Sequence, residues 1–126
     1  MKTVQKAVIK DKEKFLILLR SADSKFFPGH WDFPGGKLEE GEDPKSGIVR
    51  EVLEETRLKI KPLKIANIYE MTLKDIPHRF VVHDVKTFSR DVKLSEEHTK
   101  FRWATRTAML KLKIEPYMRR YFKEHK

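Results

Sequence analysis

Apolar residues gather in two runs near the start of the chain, residues 4–9 and 15–20, separated by the polar stretch 10–14. This pattern predicts two strands joined by a turn. Residues 21–36 lose that pattern and carry Pro28, Gly29, Pro34, Gly35 and Gly36, which predicts a loop. Over residues 44–56 the spacing changes, and Ile48, Val49, Val52 and Leu53 project onto one arc of a helix. Asp43 supplies a helix N-cap and Pro44 the first helical position. Residues 58–73 alternate, as one or two strands. Residues 79–88 form another strand, with Phe80, Val82 and, after a slip, Val85 on one side. Residues 101–104 make a short strand and 107–112 a short helix. Glu115-Pro116 opens a final helix on which Met118, Tyr121 and Phe122 can pack. Residues 123–126 are expected to fray. The order of elements is mixed α/β, with no repeat, linker or low-complexity stretch.

The polar side of the central helix carries the chemistry. Glu51, Glu54 and Glu55 stand at i, i+3 and i+4, so three carboxylates share one helical face. Like charges at this spacing repel, and a purely structural helix gains nothing from them. One reading is a solvated acidic face. The other is a site for a hard divalent cation, because Mg²⁺ and Mn²⁺ prefer carboxylate oxygens. Gly35-Gly36 just before the helix lets the backbone approach a ligand closely.

Residues 36–58 resemble the signature of the Nudix hydrolases, G-x5-E-x7-R-E-U-x-E-E-x-G-U, with U a bulky aliphatic residue. Gly36, Glu42, Arg50, Glu51, Val52, Glu54, Glu55 and Leu58 occupy eight of its nine defined positions. The preceding Trp31-Asp32-Phe33-Pro34-Gly35-Gly36 looks like the approach to this box in MutT-related members. The resemblance implies one Nudix domain over residues 1–126, folded as an α/β/α sandwich with a mixed β-sheet between helices. It implies Mg²⁺-dependent hydrolysis, with Mn²⁺ as a substitute, of a nucleoside diphosphate linked to another moiety. The narrower expectation is a MutT-like nucleoside triphosphate pyrophosphohydrolase. Gly36 (through its carbonyl), Glu51, Glu54 and Glu55 are the implied metal ligands. Glu51, Glu54 and Arg50 are the implied catalytic set, with Glu51 as ligand or base, Arg50 orienting a box glutamate and Glu42 as an outer partner. Beyond the box, Arg20 is expected to reach substrate phosphate, and Glu97 or its neighbour Glu96 to add a carboxylate. Trp31, Phe33 and Phe27 are aromatic candidates for contact with a base, with the core as the favoured place for Phe33. His30, His78, His83 and His98 show no zinc-ligand spacing and are expected on the surface or hydrogen-bonded.

One position departs from the signature. Arg57 stands where the box has glycine, the residue that usually supplies a left-handed cap after a helix. Either Arg57 accepts that conformation, at about 1–2 kcal/mol, or the helix end is rearranged. Arg57 is also placed to pair with Glu54. Gly47, inside the helix, is a second soft spot of about 1 kcal/mol against alanine.

Composition narrows the setting. The 126 residues fit one core, and the chain has no cysteine, which excludes disulfides and thiolate chemistry. No apolar run is long enough to span a bilayer, and no signal peptide is evident, so a cytoplasmic enzyme is expected. Charged residues make up 37% of the chain while Asn and Gln occur once each, a balance that leans toward a heat-adapted source. The net charge of +9 is uneven: residues 1–55 hold 10 Lys/Arg and 11 Asp/Glu, residues 56–126 hold 18 and 8. Basic surface near a metal site would draw in a small polyanionic nucleotide. It also leaves nucleic acid open as a partner, and a homodimer is allowed by the resemblance. Two other functions are compatible: a Nudix-fold nucleotide sensor without catalysis, and an RNA-binding or RNA-end-processing protein.

Overall fold

A computed structural model describes residues 1–125. Its elements are β1 (Lys2–Asp11), β2 (Lys14–Arg20), β3 (Trp31–Asp32), β4 (Gly35–Lys37), α1 (Pro44–Thr56), β5 (Ile60–Leu73), β6 (Ile76–Thr87), β7 (His98–Thr105), α2 (Arg106–Met109) and α3 (Pro116–Glu124). The seven strands form one mixed sheet in the order β3-β2-β1-β6-β5, with β4 on β1 and β7 on β2. β1 runs parallel to β6 and antiparallel to β2 and β4. The three inner strands, β2, β1 and β6, are buried on both faces along their centres, which is why their apolar runs are dense rather than strictly alternating.

Helices cover the two faces. On one, Ile48 and Val52 of α1 pack on Ala7, Ile9, Leu16, Leu18 and Val85. On the other, Tyr117, Met118, Tyr121 and Phe122 of α3 pack on Val8, Phe15, Ile17, Phe33, Phe80 and Val82. This is the expected α/β/α sandwich.

Several expectations need correction. Residues 21–36 contain β3 and the start of β4, strands of two and three residues that are too short to show a pattern. Residues 58–73 yield one strand, β5, within the expected one or two, and the register shifts fall on it, at Pro62/Lys64 and Ile65/Asn67. β6 pairs with β1 without a break from Lys2↔His78 to Ile9↔Val85, so no slip occurs and Val85 faces the α1 side, opposite Phe80 and Val82. Leu53 is exposed rather than part of the packed arc. Lys123 and Glu124 belong to α3 rather than a frayed end, and Glu124 accepts hydrogen bonds from Asn67 and Tyr69, while Lys126 lies outside the described residues.

β1 positions the site by pairing with two partners in succession. Val4–Lys6 pairs with β4, and Lys10 and Asp11 pair with β2. Between them, Ala7 N donates to Pro34 O at 2.7 Å. Gly35 and Gly36 thus lie flat on β1. A Cβ on Gly35 would fall 1.9 Å from Gln5 O, and its φ is +150°, so only glycine fits.

Candidate active site

α1 begins as predicted. Asp43 Oδ2 accepts from Ser46 N at 3.2 Å, and Pro44 follows the cap. It ends with Arg57 in the left-handed region at φ +64°, its N–H bonded to Leu53 O at 2.9 Å. Arg57 therefore accepts the glycine conformation and the helix end is not rearranged. Thr56 Oγ1 bonds Val52 O, while Lys93 N and Ser95 N donate to the carbonyls of Thr56 and Glu55. The segment after β6 thus satisfies the last turn of α1 and fixes the backbone that carries Glu55.

The three box glutamates do not share one environment. Glu55 is buried, and its Oε1 accepts from Gly35 N at 2.6 Å. Burial pushes its carboxyl up to about 8. Glu51 sits at the edge of burial, and burial raises its pKa too. Its carboxylate lies on the backbone of Gly36, where a Cβ would come within 2.2 Å of Oε2. Glu54 is exposed. Arg50 ties the outer carboxylates together, through Nε to Glu42 at 2.6 Å, Nη2 to Glu51 at 2.8 Å and Nη1 to Glu54 at 3.2 Å. The hydrogen bond from Arg50 holds Glu42 at about 2. Glu54 pairs with Arg50, not with Arg57 as its spacing allowed.

Among the described residues no three acidic or imidazole side chains stand close enough to enclose a cation. The donor set nevertheless fits a hard divalent ion: carboxylates on one helix face, a glycine whose missing side chain leaves room for Glu51, and a buried Glu55 carboxyl that lacks a cationic hydrogen-bond partner. His98 lies beside it, Nδ1 at 3.6 Å from Glu55 Oε2. Burial lowers His98 to about 4, so it is neutral there.

A cavity of about 240 Å³ opens from Gly35, Gly36 and Glu55. Its walls are Phe26, Phe27, Leu73, His78 and Phe80, and Lys2 and Lys37 stand with Gly36 in its lining. Val4, Lys6, Arg20, Glu97 and Glu115 complete it. Phe26 is held over the cavity by Arg20 Nε, which donates to Phe26 O at 2.9 Å, and by the ammonium of Lys74, 5.3 Å above its ring.

Of the residues expected outside the box, Arg20, Phe27 and Glu97 line this cavity. Trp31 and Phe33 do not. Phe33 is fully buried against Phe15, Tyr117, Tyr121 and Phe122, its favoured place, and Trp31 packs against the same cluster. Glu96 lies in a neighbouring shallow cleft with Ser21 and Asp23. His78 and His83 are buried and hydrogen-bonded, to Ile76 O and Gln5 Oε1. Sequence reasoning missed Lys6, Asp32, Tyr117 and Glu115, which form a buried polar cluster. Lys6 Nζ donates to Asp32 Oδ2 at 2.5 Å, Tyr117 OH to Oδ1 at 2.5 Å, and Arg20 Nη1 to Oδ2 at 3.3 Å. Burial alone would raise Asp32, but Lys6 foremost, with Glu115 and Arg20, brings it to about 2. Burial holds Glu115 well above the usual carboxylate range, helped by ionised Asp32. The available signal was a lysine between Val4 and Val8 on one strand face, a charge at an inward position.

The chain matches the family model for the NUDIX domain over residues 3–125. The nucleoside triphosphatase NudI of Enterobacter sp. (strain 638) is 27% identical over 132 residues, covering 96% of this chain and 94% of that protein. The 8-oxo-dGTP diphosphatase of Proteus vulgaris is 30% identical over 74 residues, 59% of this chain and 63% of its own. Among solved structures, the MutT protein of Methanosarcina mazei Go1 superposes with a TM-score of 0.90 at 34% identity, covering 98% of this chain and 91% of that one. Helices on both faces of a mixed sheet, a carboxylate face seated on Gly36 and a family match along nearly the whole length agree, and the chain belongs to the Nudix hydrolases.

Proposed function

We propose that this hydrolase is a Mg²⁺-dependent pyrophosphohydrolase of nucleoside triphosphates. The observation that carries this reading is one cavity lined by both aromatic rings and charged groups. Phe26, Phe27 and Phe80 supply the rings that a planar base requires. Gly36, Lys2, Lys37 and Glu55 of the carboxylate face line the same cavity. The names of the NudI and 8-oxo-dGTP diphosphatase relatives support a triphosphate as substrate.

Glu51, Glu54, Glu55 and the Gly36 carbonyl are the oxygens that would hold Mg²⁺. The ion supplies charge neutralisation at the phosphates and a more acidic water. The chain's own residues do the rest. Arg50 fixes the rotamers of Glu51 and Glu54 through charge-assisted hydrogen bonds. Gly35 N–H orients Glu55. Glu51, at the edge of burial with a raised pKa, would either stay on the ion or act as the base that takes a proton from the attacking water. Lys2 and Lys37 add positive charge where the polyphosphate lies.

Pyrophosphate release from a panel of nucleoside triphosphates and nucleotide sugars, with Mg²⁺, Mn²⁺ or EDTA, tests the reading. Release is expected only with a divalent ion and is expected to fall at least about a hundredfold in Glu55→Gln, in line with the loss of an essential acid–base or metal group. Nucleotide binding without turnover in any condition would favour a sensor on the same fold.

A further inference from the structure

The cavity occupies one end of the sheet. β1 runs from Lys2 and Lys6 in its lining to Asp11, and β6 runs parallel to β1 from His78 toward Thr87. The opposite end therefore gathers the β1–β2 turn, the start of β5 and the segment that follows β6. Residues 10–14, 59–61 and 86–93 hold eight Lys/Arg against three Asp/Glu, so this end is strongly positive. All eight cations are exposed. Of the acids, Asp11 is taken by Arg90 at 3.0 Å. Lys61 and Lys86 stand directly opposite each other on β5 and β6, a like-charge pair that costs stability until an anion neutralises it.

Flat rings accompany the charge. Phe88 is 64% exposed, with the Lys86 ammonium 5.7 Å from its ring. Trp103 carries the Arg90 guanidinium at 4.7 Å, and that arginine side chain is itself 53% exposed. Phe101, 43% exposed, shares the strand face of Trp103 and lies about 6.8 Å from it along β7. A simple polyanion has a use for the cations but none for the rings. A chain that alternates phosphates with unpaired planar bases uses both. We propose that this end of the sheet binds single-stranded nucleic acid, apart from the catalytic cavity. Lys59, Lys61, Lys86 and Lys93 neutralise its phosphates, while Phe88, Phe101 and the outer face of Arg90 stack on its bases. A duplex keeps its bases inside and offers the rings nothing.

The test is fluorescence anisotropy in EDTA with a 3′-labelled oligouridylate of about fifteen nucleotides, whose 5′-hydroxyl end gives the hydrolase no triphosphate to attack. Binding is expected to weaken about sixtyfold between 50 and 200 mM NaCl, a log–log slope of about −3 for four to five neutralised phosphates. The double variant Lys59→Ala/Lys61→Ala is expected to make that slope shallower by about one. Phe88→Ala and Phe101→Ala are each expected to weaken binding about fivefold or more at every salt concentration, with the slope unchanged. Lys37→Ala, in the cavity lining, is expected to leave affinity within about twofold. In the wild type, an RNA duplex of the same length is expected to bind at least about fivefold more weakly than the single strand, a comparison that needs no variant to fold. Equal or tighter binding of the duplex reduces the surface to bare charge and overturns the proposal. Loss of binding in Lys37→Ala places the strand in the cavity and overturns it too. So does the absence of oligouridylate binding, and phosphatidylglycerol vesicles bound in its place would make this end a membrane-facing surface.

Discussion

Arg57 holds a conformation that costs an L residue about 1–2 kcal/mol, at a helix end where the carbonyls of Leu53, Glu55 and Thr56 all find backbone donors. Arg57→Gly removes that strain, partly offset by the greater freedom of glycine in the unfolded chain. A gain of about 1 kcal/mol is expected, read as a rise of a few degrees in Tm. A lower Tm would mean that the arginine side chain returns more than its backbone loses. Gly36 makes the opposite case. In Gly36→Ala the new Cβ would displace the Glu51 carboxylate, a flexible group, so the fold should survive while Mg²⁺ affinity and turnover fall at least about tenfold. Wild-type Mg²⁺ affinity in a titration of that variant would remove Gly36 from the site. Gly47 proves to be more than a soft spot: a Cβ there would come within 2.8 Å of Gln5 Nε2 and Leu38 Cδ1, so its absence lets α1 approach β1. The box glutamates were legible as one helical face from their spacing, and as candidate ligands from the signature they match. Their division into a buried Glu55 and an exposed, Arg50-bound Glu54 was not, because it depends on where β4 lies.

At the scale of elements, strands and helices were legible wherever they ran long enough to show a period. β3 and β4 were not, because they are set by pairing with β2 and β1 rather than by their own residues. The same holds for the charged cluster joining β1, β3 and the start of α3, whose members are far apart in sequence. That cluster sets a pH dependence. Asp32, depressed to about 2 from 3.8, stabilises the fold fully above pH 3.8, and this is lost as pH falls toward 2. Glu115 is shifted the other way: the folded protein keeps its proton where the unfolded chain releases it, so stability declines as pH rises above 4.5. Glu55, raised to about 8, adds to that decline. Maximum stability is therefore expected at mildly acidic pH. In Glu115→Gln the decline between pH 5 and pH 8 should be shallower. Melting curves of both proteins across pH 3–8 check this, and superimposable slopes would show that Glu115 is ionised in the folded state.

The whole molecule is strongly basic, yet its proposed site is built from carboxylates. Neither half of the sequence gives that contrast a place. The fold does, because Lys2 and Arg20 come to the same cavity as Lys37, Glu55 and Glu115. No helix among the described residues is long and apolar enough to cross a membrane. A basic field around an acidic centre has a definite kinetic consequence. It attracts a polyanion from a distance, and that attraction is screened once the Debye length falls to about 10 Å near 0.1 M salt. The chemistry occurs between partly buried groups at contact distance, which salt screens much less. Raising NaCl from about 20 to about 300 mM should therefore raise KM for a nucleoside triphosphate several-fold while kcat stays within about twofold. Lys2→Ala and Lys37→Ala should each weaken that dependence, since they remove charge from the cavity lining without touching the box carboxylates. If kcat fell with salt and KM did not move, the lysines of the cavity lining would have no part in capturing substrate.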